Sequence, residues 1–107
     1  MNNNMMSELY SIGLIPVIKI ENPDDAVPLA KALIDGGLPA AEITFRTKCA
    51  AEAIKNITEA YPDMLVGAGT VLTTEQVDAA IAAGSKFLVS PGLNTKVTAY
   101  ALEKGVP

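Results

Sequence analysis

Four times along this chain a short apolar, β-branched run gives way to a helical pattern, and the runs recur roughly every 20 to 25 residues. That rhythm leaves few architectures open. Strands that each hand over to one helix come back in the same direction, so they pair in parallel and the helices pack on the sheet. The runs occupy residues 14–20, 41–45, 64–68 and 86–90. The first, Leu-Ile-Pro-Val-Ile-Lys-Ile, is nearly unbroken, as expected of a strand buried on both faces.

The punctuation between runs fits helices. Asn22 offers an N-cap, with Pro23 at the first helical position and Asp24 and Asp25 in the first turn. Ala26, Leu29, Ala30, Leu33 and Ile34 follow at helical spacing until Gly36-Gly37. Pro28 lacks a donor inside this stretch, so the regular helix is expected to settle only after it. A second helix is expected from about residue 49 to residue 60, with Ala50, Ala53, Ile54 and Ile57 as its apolar stripe and Pro62 beyond its end. Thr73 and Gln76 make a capping box for the third, which closes at Gly84. Asn94 caps the last, which reaches Lys104 and ends at Gly105.

The expected fold is α/β: an N-terminal segment, residues 1–13, with a short helix, then four consecutive parallel βα units over residues 14–107. Helices on one side leave the other face of the sheet and both of its edges uncovered. Val106-Pro107 stands where a fifth strand would begin. Residues 1–107 are therefore expected to be half of a barrel, completed by another chain or continued in a longer one.

Composition narrows the partners. The net charge is −4 without a basic block, aromatics make up 5% and Trp is absent, which argues against nucleic acid. With Cys49 as the single cysteine and no His, neither an internal disulfide nor a soft-metal site is expected. The opening Met1-Asn2-Asn3-Asn4-Met5-Met6 lacks the basic region and apolar core of a signal peptide, and no run approaches the ~20 apolar residues of a membrane span. A soluble cytoplasmic protein is the expectation.

Chemistry gathers in the second run. In Glu42-Ile43-Thr44-Phe45-Arg46, Ile43 and Phe45 point to one face and Glu42, Thr44 and Arg46 to the other. In a helix-covered barrel the polar set projects inward near the C-terminal end of a strand, where barrel enzymes do their chemistry. Glu42 reads as a general base, or else as half of a buried ion pair with Arg46. Arg46 has the planar fork that suits a carboxylate. In Gly67-Ala68-Gly69-Thr70 the glycines would let a ligand approach the backbone, and Thr70 offers a hydroxyl. Pro91, in Ser90-Pro91-Gly92, is a pocket wall or only a turn. Lys19, at the end of the first run, reads as a rim cation or anion contact, or as a Schiff-base nucleophile if desolvated.

Taken together, Ile15-Pro16-Val17-Ile18, Gly36-Gly37, Glu42-Ile43-Thr44-Phe45-Arg46-Thr47, Val66-Gly67-Ala68-Gly69-Thr70-Val71-Leu72 and Val89-Ser90-Pro91-Gly92 closely resemble the 2-keto-3-deoxy-6-phosphogluconate / 4-hydroxy-2-oxoglutarate aldolase family from about Ser11 onward. The resemblance implies a TIM (β/α)8 barrel, usually a homotrimer, and class I aldol cleavage without metal or other cofactor. The substrate is a small 2-keto acid that yields pyruvate, with glyceraldehyde 3-phosphate or glyoxylate as the other product. Position by position, Glu42 matches the family's general acid/base, Arg46 its carboxylate-binding Arg, Thr70 its pyruvate-pocket hydroxyl and Pro91 a substrate-contacting Pro. Lys19 matches a position that varies. The family's Schiff-base Lys lies on the sixth strand, and its phosphate site follows strands seven and eight. No Lys within these residues matches that nucleophile, so the chain taken alone is expected to be inactive.

Overall fold

The computed structural model describes residues 3–107; the expectation that the chain opens without a signal peptide rests partly on Met1 and Asn2, which lie outside the described residues. In chain order the elements are α1 (Asn3–Ile12), β1 (Val17–Ile18), a 3₁₀ turn (Pro23–Asp25), α2 (Ala26–Asp35), β2 (Ala40–Thr44), α3 (Ala50–Ala60), β3 (Leu65–Gly69), α4 (Thr74–Ala82) and α5 (Thr95–Glu103). The strands form one parallel sheet in the order β1-β2-β3, with β2 in the middle. Glu42 stands opposite Val17 on one side and Gly67 on the other; Thr44 stands opposite Gly69.

Burial sorts the two faces of β2 as the alternation predicts. Ala41 and Ile43 join Val66 and Ala68 of β3 in a core shared with Ala30 of α2, Ile54 and Ile57 of α3, Val77 of α4 and Val97 of α5. On the opposite face Ala40, Leu65 and Phe87 pack with Met5 of α1, and Leu9 and Ile12 lie against them. This corrects one expectation. The second face is not bare, because the apolar side of α1 covers its lower end, at the N-terminal ends of the strands.

Two expected strands are shorter than their sequence patterns. β1 is a pair of residues, and Val17 is 63% exposed rather than buried on both faces. It is an edge strand, so only one side of it is paired and its apolar run lacks the cover that the pattern implied. Residues 86–89 run beside β3, where Lys86 N donates to Val66 O at 2.8 Å and Val89 N to Ala68 O at 2.8 Å. Only Ala68 and Leu88 form a bridge there, and on the outer side Leu88 N donates to Pro107 O at 2.9 Å.

The helix ends follow local chemistry. Asn22 accepts from Asp24 N at 3.0 Å and so caps the 3₁₀ turn. α2 starts at Ala26, ahead of Pro28 rather than after it. Pro28 falls in the first turn, where backbone N–H groups have no partner within the helix, so its missing donor costs no helical bond. Thr73 accepts from Gln76 N at 3.1 Å as the capping box requires, but Gln76 Oε1 reaches one residue further back, to Leu72 N at 2.7 Å. After α4, Gly84 takes φ 100°, which a β-carbon would strain.

Candidate active site

The C-terminal ends of β2 and β3 lie side by side, and three of the five candidate residues meet there. Glu42 is 8% exposed and Thr44 2%. Arg46 lies just past β2 on the turn and is exposed, and its Nε donates to Thr70 Oγ1 at 3.4 Å. Thr70 holds φ 56°, a left-handed backbone unusual for a β-branched residue. Thr44 shares the face of Glu42, yet its hydroxyl is committed: it donates to Ile18 O at 3.2 Å.

Glu42 has the electrostatics of an acid withdrawn from water. Burial pushes its carboxyl above the ordinary carboxylate range, and the Arg46 guanidinium pulls in the opposite direction. Burial prevails. Among the described residues Glu42 forms no salt bridge, so the alternative reading as half of a Glu42–Arg46 ion pair is not what the fold displays. A buried carboxyl whose hold on a proton is strengthened by burial and tempered by a nearby cation is suited to take up and release a proton, which is what general acid/base work needs.

The other two candidates stand apart from this trio. Lys19, beyond β1, is exposed and its ammonium faces Glu21 at 3.1 Å. Pro91 lies in an exposed bend after residues 86–89. The glycines of β3 also differ from expectation. The space a β-carbon would need at Gly67 is filled by the Phe87 ring, and at Gly69 by the Glu42 carboxyl. What approaches the β3 backbone is the protein's own side chains. Sequence reasoning missed Phe87 in this role, and it missed Thr47, whose hydroxyl donates to Ile20 O at 2.7 Å and fastens the turn after β2 to the segment just past β1. Strand alternation could have flagged Phe87; no spacing rule points to Thr47.

Comparison with known proteins sets this geometry in a family. The sequence profile described as "KDPG and KHG aldolase" matches residues 5–107. A 2-dehydro-3-deoxy-phosphogluconate aldolase of Treponema pallidum is 54% identical over 99 residues, which is 92% of this chain and 47% of that protein. The chain thus spans about half the length of the curated relatives it matches. Among solved structures, a KDPG aldolase from Legionella pneumophila, with pyruvate captured as a covalent carbinolamine intermediate, superimposes with a TM-score of 0.83 at 41% identity. That match covers 87% of this chain and 45% of the other. The 2-keto-3-deoxy-6-phosphogluconate aldolase of Zymomonas mobilis, with 3-phosphoglycerate, gives 0.83 at 43% identity over 94% of this chain and 50% of that one. Sequence and fold agree: the chain belongs to the KDPG and KHG aldolase family.

Proposed function

We propose that these residues supply the proton-handling and carboxylate-binding part of a class I aldolase that cleaves a 2-keto-3-deoxy acid to pyruvate and an aldehyde. The observation that carries the reading is the Glu42–Arg46–Thr70 arrangement: a desolvated acid, a guanidinium and a hydroxyl at adjoining strand outlets. Retro-aldol cleavage needs a base to take the proton from the substrate hydroxyl as the carbon–carbon bond breaks. The same group then returns a proton to the methyl-forming carbon of the enamine. Glu42 fits that shuttle because its neutral form is favoured by burial while its charged form is held within reach by Arg46. Arg46, with Thr70 fixing its Nε side, binds the pyruvyl carboxylate. Lys19 and Pro91 line the rim at the neighbouring outlets.

The covalent step requires a desolvated lysine, and none among the described residues adjoins Glu42: Lys19 is engaged with Glu21, and Lys86 Nζ donates to Pro62 O below the N-terminal end of β3. The 107-residue chain alone is accordingly expected to be inactive. Borohydride reduction in the presence of pyruvate should leave its intact mass unchanged, and a stable one-pyruvate adduct would overturn this. Joined to the second half of the Treponema pallidum relative, the chain should release pyruvate from the phosphorylated keto acid. Glu42→Gln should then lower the rate by about 100- to 10,000-fold. Unaltered turnover in that variant would remove Glu42 from the mechanism.

A second reading, a half-barrel assembly module, draws support from the sheet edge beside residues 88–90. There an apolar hollow of about 340 Å³ opens between those residues and α5, lined by Val71, Val97, Ala101 and Leu102 among others. Parentage and assembly are compatible, because a family member of either kind must cover that hollow.

A further inference from the structure

The inner positions of β3 are Leu65, Gly67 and Gly69, so above Leu65 the strand turns no side chain toward Glu42. Glycine inside a strand weakens it and is not required here by the backbone, since neither Gly67 nor Gly69 has a positive φ. The bare surface is instead occupied. The Phe87 ring lies over Gly67, and the Glu42 carboxyl lies over Gly69, diagonally across the register from its own partner Gly67. No salt bridge among the described residues holds that carboxyl in place. Its position follows from packing.

We propose that Gly69 is a positioning residue for Glu42: the missing side chain is the seat that keeps the carboxyl at the strand outlet, next to Thr70 and its Arg46 contact. A methyl at position 69 would occupy the place of the carboxyl and drive Glu42 outward. The reading rests on the aldolase assignment for its catalytic meaning, not for its geometry. Of the charged groups around the seat, Arg46 acts on Glu42. β3 contributes none, Lys19 pairs with Glu21, and Lys86 reaches the Pro62 carbonyl.

The test follows the Glu42 carboxyl by NMR titration and measures urea unfolding of the 107-residue chain, for wild type, Gly69→Ala, Glu42→Ala and the double variant. Gly69→Ala should lower the Glu42 titration midpoint by about half a pH unit or more as the carboxyl moves into water. It should also lower the unfolding midpoint, and in the Glu42→Ala background at least about half of that loss should vanish, since neighbours that collide are not additive. Gly92→Ala, at a position with nothing within 4 Å, should leave the Glu42 titration where it was. An unmoved titration, or an equal loss with and without Glu42, would reduce Gly69 to a backbone requirement and overturn the proposal. If Gly69→Ala does not fold, a folded double variant supports the seat and an unfolded one refutes it. None of these readings depends on turnover, so failure of the aldolase assignment would show separately in the fused barrel.

Discussion

Thr70 keeps a conformation that a threonine has reason to avoid. A left-handed backbone costs an ordinary residue about 1–2 kcal/mol, and the β-branch adds crowding. The φ of 56° nevertheless brings its hydroxyl within 3.4 Å of Arg46 Nε, so the strain coincides with a contact at the candidate site. Thr70→Gly should therefore raise unfolding stability by about 1 kcal/mol in urea while, under the proposed function, the chain joined to the second half of its relative binds the keto acid less tightly. A loss of stability in that variant would show that the strain is absent. Glu42 carries a pH signature of definite sign. Burial holds its folded-state value above that of the unfolded chain, so the folded state binds the proton more strongly. Its contribution is greatest below the unfolded value and is lost as pH rises through the raised folded value. Glu42→Gln has no such loss, so its Tm advantage over wild type should widen as pH rises from the unfolded-state value through the raised folded value. A constant difference would mean that Glu42 is not desolvated. Glu42 and Arg46 were legible as candidates because strand alternation and unusual residue types mark them, and Thr70 because it follows a glycine-rich strand end that matches a family motif. The seat at Gly69 was not, because a diagonal contact depends on register and side-chain lean, which no single strand encodes.

Helices proved more readable than strands, for a physical reason. A helix satisfies its backbone within its own sequence, so Ala50, Ala53, Ile54 and Ile57 announced both α3 and its buried face. A strand is completed by neighbours. The seven-residue run around β1 became two residues, and residues 86–90 became a bridge, because each lies at an edge where pairing is partial. The caps of α4 allow a direct measurement: Thr73→Ala should cost about 1 kcal/mol of unfolding stability. In α3, Ile57→Ala should cost about 2–5 kcal/mol, since Ile57 is 1% exposed in the shared core. If the two costs were equal, the core of α3 would be looser than its burial indicates.

At the scale of the whole molecule, exposed apolar side chains lie on α1, where Tyr10 is 88% exposed, and on the two flanks of the sheet. Val17 is 63% exposed on one; on the other are Leu93 at 84% and Leu102 at 52%. Such surface favours association. The isolated chain should sediment as a species whose mass rises with concentration, and Leu102→Glu, at the rim of the hollow by α5, should shift it toward monomer. A monomer at every concentration would leave the assembly reading without support. The central place of β2 carries one more consequence. Its backbone is bonded on both sides, through Glu42 N to Pro16 O at 2.9 Å and through β3, while β1 and residues 86–89 keep one side largely free. Deuterium should therefore enter the flanking strands first and the Ile43 amide last. The strand that carries the acid would then be the part of the chain that opens least often, and its chemistry would be mounted on the slowest-exchanging amides in the fold.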